Sequence, residues 1–229
     1  MSRKFIMTAA ASLALSISAL AAPAHALDIA SFAQGWVNSA GGADGAVNGN
    51  NTFTGNEYGN RFNSWAAFAI PVGTYSAADL ALTFQFYQNS VGDEVGLYDV
   101  NTAYSDFAAS SSGVAGYTDL MSGSLYASTF ANDVLTHLIS LGGASLADIN
   151  TAAGGIFIIG FTNITKNGQI SGANQDDGVY TNGSAIGQPV LQLSERSAAP
   201  EPASWGLMVL GFGGLGAMFR SQRRALAAV

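Results

Sequence analysis

A repeat of large apolar residues at every second position in DLALTFQFYQ (79–88) limits the possible folds more than any other feature of this chain. The side chains of Leu80, Leu82, Phe84 and Phe86 fall on one side of an extended backbone, and the intervening residues fall on the other. A period of two residues indicates a half-buried β-strand, because successive side chains of a strand point to opposite faces. The chain is therefore expected to contain a sheet that packs one face against a core.

Further strands are predicted from short apolar runs that Gly, Asn and Ser turns separate. These runs are WAAFAI (65–70), EVGLYDV (94–100), SLYASTF (124–130), DVLTHLISL (133–141), GIFIIGF (155–161), GVYTN (178–182) and PVLQLS (189–194), with weaker ones near 32–37 and 52–54. One short helix is expected over LADINTAA (146–153), with Ser145 as its N-cap. The pattern predicts an all-β fold, an antiparallel β-sandwich of the jelly-roll type with one short helix.

The charge and cysteine content exclude several functions. The 229-residue chain has a formal net charge of −7, but residues 27–199 hold fourteen acidic and only three basic residues, a net charge of −11. Such a body repels phosphate backbones, so a nucleic-acid partner is not expected. The chain contains no cysteine, which excludes disulfides, thiol catalysis and Cys-based metal sites.

The first 26 residues predict a secretory signal peptide. Arg3 and Lys4 precede an uncharged run rich in Ala, Leu and Ile, and Ala24 and Ala26 supply the small residues of a cleavage site. We expect export through the Sec machinery and cleavage after Ala26. The alternative is that the segment remains uncut as a first transmembrane helix.

An uncharged segment, 203–219, lies close to the C-terminus. A helix over 202–219 would be about 27 Å long, close to the ~30 Å hydrocarbon thickness of a bilayer. The arginine-rich residues 220–229 are expected to form a basic cytoplasmic tail, and Trp205 suits the opposite membrane interface. The segment is predicted to be a single-pass inner-membrane anchor. The alternative is a buried core helix of a soluble fold.

The C-terminal features together resemble the PEP-CTERM sorting signal, in the variant with Trp three residues after the second Pro. The residues that carry the resemblance are Pro200, Glu201, Pro202, Trp205, Arg220, Arg223 and Arg224. The resemblance implies a Gram-negative, exopolysaccharide-producing source and an exosortase that cuts near Pro-Glu-Pro before the protein reaches the cell surface. Residues 195–202 would form a Pro-containing linker between a 27–194 ectodomain and the membrane helix.

The ectodomain itself carries a looser likeness. The stretches NSWAAFAIP, ADLALTF, LYDV and SLADINTAAGGIFIIGF are similar to the small β-rich ectodomains found with this tail, and weakly to β-sandwich carbohydrate-binding modules. This likeness assigns no binding residue.

Catalytic residues are not predicted. His25 leaves with the signal peptide, His137 lies within a strand pattern, and the chain has no G-x-S-x-G, H-E-x-x-H or P-loop motif. Glycoside hydrolysis would need two facing carboxyl groups, and neighbours on a strand point apart. Asp93/Glu94 and Asp176/Asp177 would each need a partner from elsewhere, and the alternative is that they are solvated turn residues.

Two kinds of ligand remain as expectations for the ectodomain. Calcium is a possible cofactor and prefers oxygen ligands. Its candidate ligands are Asp93, Glu94, Asp99, Asp176 and Asp177. A glycan would use aromatic side chains, and the candidates are Trp36, just before the Gly/Asn-rich stretch 40–60, and Tyr58, near its end. Trp65 heads an apolar strand and is expected in the core.

The sequence therefore predicts a non-catalytic surface or extracellular-matrix protein that exosortase processes. Its expected role is structural or adhesive, within an exopolysaccharide layer or biofilm. The first alternative is a glycan-binding module, with or without calcium. The second is a secreted hydrolase, which would require two carboxyl groups facing each other in a groove.

Overall fold

A computed structural model of the protein describes residues 26–44, 52–88, 90–166, 176–181, 187–196, 208–216 and 220. The strands are β1 (Ala26–Ala30), β2 (Ala33–Asn38), β3 (Ala43–Asp44), β4 (Phe53–Glu57), β5 (Asn60–Ala69), β6 (Tyr75–Thr83), β7 (Gln85–Tyr87), β8 (Asp93–Asp99), β9 (Leu125–Ala131), β10 (Thr136–Ser140), β11 (Ile156–Asn163), β12 (Asp177–Tyr180) and β13 (Val190–Glu195). The helices are α1 (Tyr104–Ala108), α2 (Gly113–Ser122) and α3 (Gly143–Thr151).

The strands form two antiparallel sheets. Over the described residues, the smaller sheet has four strands in the order β1-β13-β6-β10. The larger has nine, with the path β7-β12-β4-β5-β11-β8-β9 and a branch in which β2 pairs with β5 and β3. The predicted antiparallel sandwich is confirmed, but this larger, branched sheet exceeds the two four-stranded sheets of a simple jelly roll.

The main core lies between the two sheets. Its buried side chains include Leu80, Leu82, Ile139, Leu191 and Leu193 from the smaller sheet and Phe68, Val95, Leu97, Ile159 and Phe161 from the larger. Burial of one such side chain stabilises a fold by about 1.5–3 kcal/mol. The apolar face predicted from the period of two is thus the face that holds the sheets together.

The stretch predicted as one strand over 79–88 belongs to both sheets. β6 ends at Thr83 and pairs with β10 and β13, whereas β7 begins at Gln85 and pairs with β12. Phe84 stands at the corner and is fully buried. Sandwiches make such corners where a strand bends from one sheet into the other, which keeps the alternation of side chains intact.

A second apolar cluster covers the outer face of the larger sheet. Trp65 and Ala67 of β5 point away from the sandwich core, and α1 and α2 pack over them with Phe107, Tyr117 and Leu120. The rings of Trp65 and Phe107 stack with centroids 5.1 Å apart. The core position predicted for Trp65 is confirmed, but its partners are helices that the sequence did not indicate.

The prediction of a single helix is therefore wrong, since α1 and α2 were not predicted. The predicted cap was also misplaced. α3 follows Gly142, which has an extended backbone, and Ser145 lies inside the helix, where its Oγ donates to Gly142 O at 2.6 Å. A Ser side chain bonds the preceding turn as readily as it caps a helix, so its type alone does not mark the first residue.

The described part of the C-terminal tail consists of Arg196, residues 208–216 and Arg220. Residues 208–216 are helical. In the part of the chain that the structure describes, no helix combines the length and apolar character needed to cross a bilayer. Residues 1–25 of the predicted signal peptide, Ala24 among them, lie outside the described residues, and Ala26 is the first residue of β1.

Candidate functional site

A groove of about 400 Å³ opens where the larger sheet meets α1 and α3. Its lining residues are Asp99, Val100, Asn101, Thr102, Ala103, Tyr104, Asp148, Thr151, Ala152, Ile156, Phe157 and Ile158. The end of β8, the loop after it, the last turns of α3 and the start of β11 each contribute. Carboxylate, amide, hydroxyl and phenol groups therefore line one concave surface together with apolar side chains, as is common in ligand sites.

Two carboxylates in this groove share one tyrosine. The phenol oxygen of Tyr126 lies 2.6 Å from Asp148 Oδ2 and 3.1 Å from Asp99 Oδ1. Tyr126 is almost fully buried and stacks on Phe157 with ring centroids 6.2 Å apart. Burial, hydrogen bonds to the two acids and their charges raise the pKa of Tyr126 far above its ordinary value. The side chain thus stays protonated and donates.

A phenol has one hydrogen, so Tyr126 can donate to only one of the two acids at a time. The shorter contact, to Asp148, identifies the preferred acceptor. The Asp99 oxygen keeps its lone pairs for another donor, such as a ligand hydroxyl. Both carboxyl oxygens lie within 3.1 Å of one atom, so they are no more than about 6 Å apart.

The loop after β8 is held in place by α2. The backbone N–H groups of Asn101 and Thr102 donate to Asp119 Oδ2 at 2.9 Å and 2.6 Å. Tyr104 begins α1 and contacts Phe32 edge-on, with centroids 5.2 Å apart. This side of the groove is therefore built on fixed backbone rather than on a free loop.

The candidate calcium ligands do not form a single cluster. Asp93 and Asp99 lie at opposite ends of β8, about 20 Å apart at the rise of a strand. Glu94 accepts a hydrogen bond from Ser128 Oγ at 2.6 Å, and Asp176 accepts one from the N–H of Tyr58 at 2.9 Å. Among the described residues, no three His, Cys, Asp or Glu side chains group as a metal site. Calcium binding stays a prediction.

Asp93 and Asp177, one acid from each predicted doublet, both lie close to the same lysine. Lys166 Nζ lies 2.9 Å from Asp177 Oδ2 and 3.7 Å from Asp93 Oδ1. Asp93 is buried at the start of a strand, so the interpretation of this residue as a solvated turn acid is wrong. An ammonium group balances these two carboxylates in the structure.

The predicted aromatic residues and histidine lie away from the groove lining. Trp36 is half-buried and packs edge-on against Phe62, with centroids 5.0 Å apart. Tyr58 is 80% exposed at the turn between β4 and β5. His137 is partly exposed on β10, and its Nε2 lies 2.9 Å from Asp133 Oδ1. Trp36 and Tyr58 remain glycan-contact candidates, but the groove offers a different surface.

Sequence reasoning missed Tyr126, Asp148 and Lys166 as members of polar clusters. Asp148 falls within the predicted helix 146–153, and Lys166 is one of the three basic residues between 27 and 199. One signal was available for Lys166, since it is the only lysine in a strongly acidic ectodomain. Tyr126 and Asp148 had no comparable signal, because their partners come from elements more than twenty residues away.

The fold and the tail sequence together define a class of protein, namely a β-sandwich ectodomain followed by a C-terminal sorting segment. Residues 198–224 match the family model of the PEP-CTERM protein-sorting motif. All seven residues of the predicted signal, Pro200 to Arg224, fall within this match; of these the structure describes Arg220. A comparison with curated proteins gives no match. The motif indicates an exported protein that exosortase processes.

Proposed function

We propose that the protein is an adhesive component of an exopolysaccharide layer, released to the cell surface by exosortase, and that its ectodomain holds glycan in the groove beside Tyr126. The sorting motif at 198–224 is the observation that supports the surface role. The chain would enter the Sec machinery, stay anchored in the inner membrane by 203–219, and lose this anchor on cleavage near Pro-Glu-Pro. No catalytic step belongs to this role.

The groove supports a neutral glycan as the bound class. Its polar groups are hydrogen-bond acceptors and donors that match sugar hydroxyls, and its two carboxylates would repel an anionic polymer. The net charge of −11 across residues 27–199 would also repel an anionic polymer. Bound calcium would bridge carboxylates of the protein and of an anionic glycan, and so would weaken the preference for neutral glycans. Binding is therefore measured with and without EDTA, which removes calcium.

The surface role is tested by the mass of the protein recovered from intact cells. We expect the surface-exposed form to begin at Leu27 and to end near Pro200–Pro202. A Glu201→Ala variant should accumulate uncut in the membrane fraction, whereas Glu195→Ala, which lies outside the motif match, should be processed normally. A surface form that still ends at Val229 would contradict processing by cleavage.

Glycan binding is tested on purified exported protein with arrays of neutral and acidic polysaccharides, with and without EDTA. Asn101→Ala and Asp148→Asn should each weaken retention on a neutral glycan at least tenfold. Asp133→Asn removes an equal charge from an exposed site outside the groove lining and should not change binding. Equal binding by Asp148→Asn and Asp133→Asn would rule out the groove, and loss in Trp36→Ala alone would favour the aromatic site.

A second candidate, a secreted glycoside hydrolase, rests on one observation. The Asp99 and Asp148 oxygens lie no more than about 6 Å apart in a groove, and retaining glycosidases hold their two carboxyl groups about 5–5.5 Å apart. Release of new reducing ends from a bound polysaccharide, abolished in both Asp99→Asn and Asp148→Asn, would support it. Binding without release of reducing ends would exclude it for that polysaccharide.

A further inference from the structure

Lys166 occupies an unusual position for the only lysine of the ectodomain. It follows β11 closely, and its Nζ lies between Asp177 Oδ2 at 2.9 Å and Asp93 Oδ1 at 3.7 Å. All three side chains are largely withdrawn from solvent, with exposures of 16% for Lys166, 14% for Asp177 and 5% for Asp93. An amine and two carboxyl groups are thus held together in a site with little water.

Asn163 fixes both sides of this cluster. Its Nδ2 donates to Asp93 Oδ2 at 2.8 Å, and its Oδ1 accepts the backbone N–H of Lys166 at 3.0 Å. Asp93 begins β8, Asn163 ends β11 and Asp177 begins β12, so the three acidic and amide groups stand on sheet strands. The sheet therefore holds the three groups that surround the amine, and Asn163 holds the backbone of Lys166 beside them.

The Asp177 carboxylate is poorly satisfied as an ion. Its Oδ1 is buried and has no hydrogen-bond partner among the described residues, and only its Oδ2 meets Lys166. A buried charge that lacks a full set of partners is costly, and a neutral group of the same shape removes that cost. Burial opposes the charge of Lys166, although the two acids together raise its pKa.

Asp93 is suited to carry a proton within the cluster. Burial raises the pKa of Asp93, even though Asn163 and Lys166 oppose this shift. A carboxyl group that is protonated more readily than usual can return a proton to a leaving oxygen. Its second oxygen is held by Asn163, which leaves Oδ1 directed at the amine.

We propose that Lys166 and Asp177 join in an intramolecular isopeptide bond, with Asp93 as the residue that transfers protons. The ammonium passes one proton directly to Asp177 Oδ2, which turns the ion pair into an amine and a carboxylic acid, and the freed Nζ lone pair attacks Cγ of Asp177. Asp93 takes a second proton from the attacking nitrogen and delivers it to Oδ2. The Nζ–Cγ bond forms, the Cγ–Oδ2 bond breaks, and Oδ2 leaves as water with two protons that both came from Lys166. The ammonium and carboxylate become one neutral amide and one water, so no oxidant or co-reactant is needed.

This bond would give a cysteine-free exported protein a covalent crosslink. It would join Lys166, three residues after the end of β11, to the first residue of β12 and close a loop from Lys166 to Asp177. A crosslink restricts the unfolded chain and so favours the folded state. The inference is independent of the glycan-binding proposal, because none of its three residues lines the groove.

The sequence provides a direct test. Lys166 is the only trypsin site between Arg61 and Arg196. Exported protein is purified, denatured, and digested with trypsin. Because trypsin needs a free lysine side chain, the isopeptide predicts a single 62–196 fragment whose mass is lower than calculated by one water molecule. Without the bond, digestion gives separate 62–166 and 167–196 fragments with unaltered masses, and that result for the wild-type protein overturns the proposal.

Three variants and one control separate the roles. Lys166→Arg keeps the charge and the cleavage site but has no reactive amine, so it should give two fragments of unaltered mass. Asp177→Ala should do the same, with cleavage at Lys166. Asp93→Asn should slow formation of the linked fragment at least tenfold in freshly refolded protein, whereas Glu94→Gln, its strand neighbour, should not. Unchanged linkage in Asp93→Asn would overturn the assigned role of Asp93.

Discussion

Asn150 of α3 pairs with the backbone of Tyr75 at the start of β6. The N–H of Tyr75 donates to Asn150 Oδ1 at 2.7 Å, and Asn150 Nδ2 donates to the carbonyl of Tyr75 at 3.1 Å. Nδ2 also donates to Leu146 O at 2.9 Å, which holds the side chain against its own helix. The side-chain amide of Asn150 thus pairs with the Tyr75 backbone as a neighbouring strand would, and it links α3 to the smaller sheet.

Replacement of Asn150 by Ala should lower the free energy of unfolding by about 2–3 kcal/mol, because it leaves two backbone groups of Tyr75 without their partner. Urea denaturation followed by circular dichroism measures this loss. Thr151→Ala is the matched control, since Thr151 is exposed and its hydroxyl donates within its own helix, to Ala147 O. A loss no greater than that of Thr151→Ala would contradict the assigned role of Asn150.

Gly160 of β11 allows α2 to approach the sheet. A Cβ atom at this position would lie 2.8 Å from the carbonyl oxygen of Leu120 and 3.1 Å from its Cα. Both atoms belong to the helix backbone, so the contact can be relieved only by moving α2. Gly160→Ala should therefore destabilise the domain by about 1–3 kcal/mol, as overpacking does elsewhere. Urea midpoints measure the effect.

Gly143→Ala is the control for this prediction. Gly143 begins α3, and no atom lies within 4 Å of a Cβ built there. Alanine favours helix over glycine by about 1 kcal/mol, so this variant should be neutral or slightly stabilised. Equal stability of the two variants would show that α2 does not press on Gly160.

The strands were predictable because each one leaves a local pattern. The smaller sheet has one face in the core and one exposed, and this arrangement produces the alternation read at Leu80 and Leu82. β11 is buried along almost its whole length and appeared as a continuous apolar run instead. Both patterns depend on residues within one strand, which is all that a single sequence displays directly.

The helical layer left no such pattern. In α1 only Phe107 is buried, and α2 buries only Gly116, Tyr117 and Leu120, too few for a clear helical stripe. The groove was also hidden, because Asp99, Tyr126 and Asp148 come from three elements that meet only after folding. The sorting signal was readable for the opposite reason, since its residues lie close together in the sequence.

Phe107 is expected to fix α1 to the sheet through its stack on Trp65. Phe107→Ala should cost about 3 kcal/mol, the lower end for removing a buried phenylalanine. Phe107 is the one buried residue of α1, so α1 should loosen from the sheet before any strand does. Amide hydrogen exchange should accelerate most in 104–108. Val72→Ala, at an 88% exposed position, should leave the exchange unchanged. Uniform acceleration over all strands would instead indicate global destabilisation.

Tyr126 should make the domain sensitive to alkaline pH. Burial and the two neighbouring acids raise its pKa in the folded state, whereas an unfolded tyrosine titrates near pH 10. Between these values the folded state binds more protons than the unfolded state, so stability is complete below pH 10 and falls as the pH rises beyond it. The loss is about 1.4 kcal/mol for each pH unit above 10.

Melting temperatures measured from pH 8 to 11.5 test this dependence. Tyr126→Phe should be less stable than the wild type at pH 8, because it leaves Asp99 and Asp148 without their shared donor, but it should lose less stability above pH 10. Tyr58→Phe removes a hydroxyl at an 80% exposed position and should follow the wild-type curve. Parallel curves for wild type and Tyr126→Phe would show that Tyr126 ionises freely in the folded protein. That result would contradict the donor role assigned to Tyr126 in the groove.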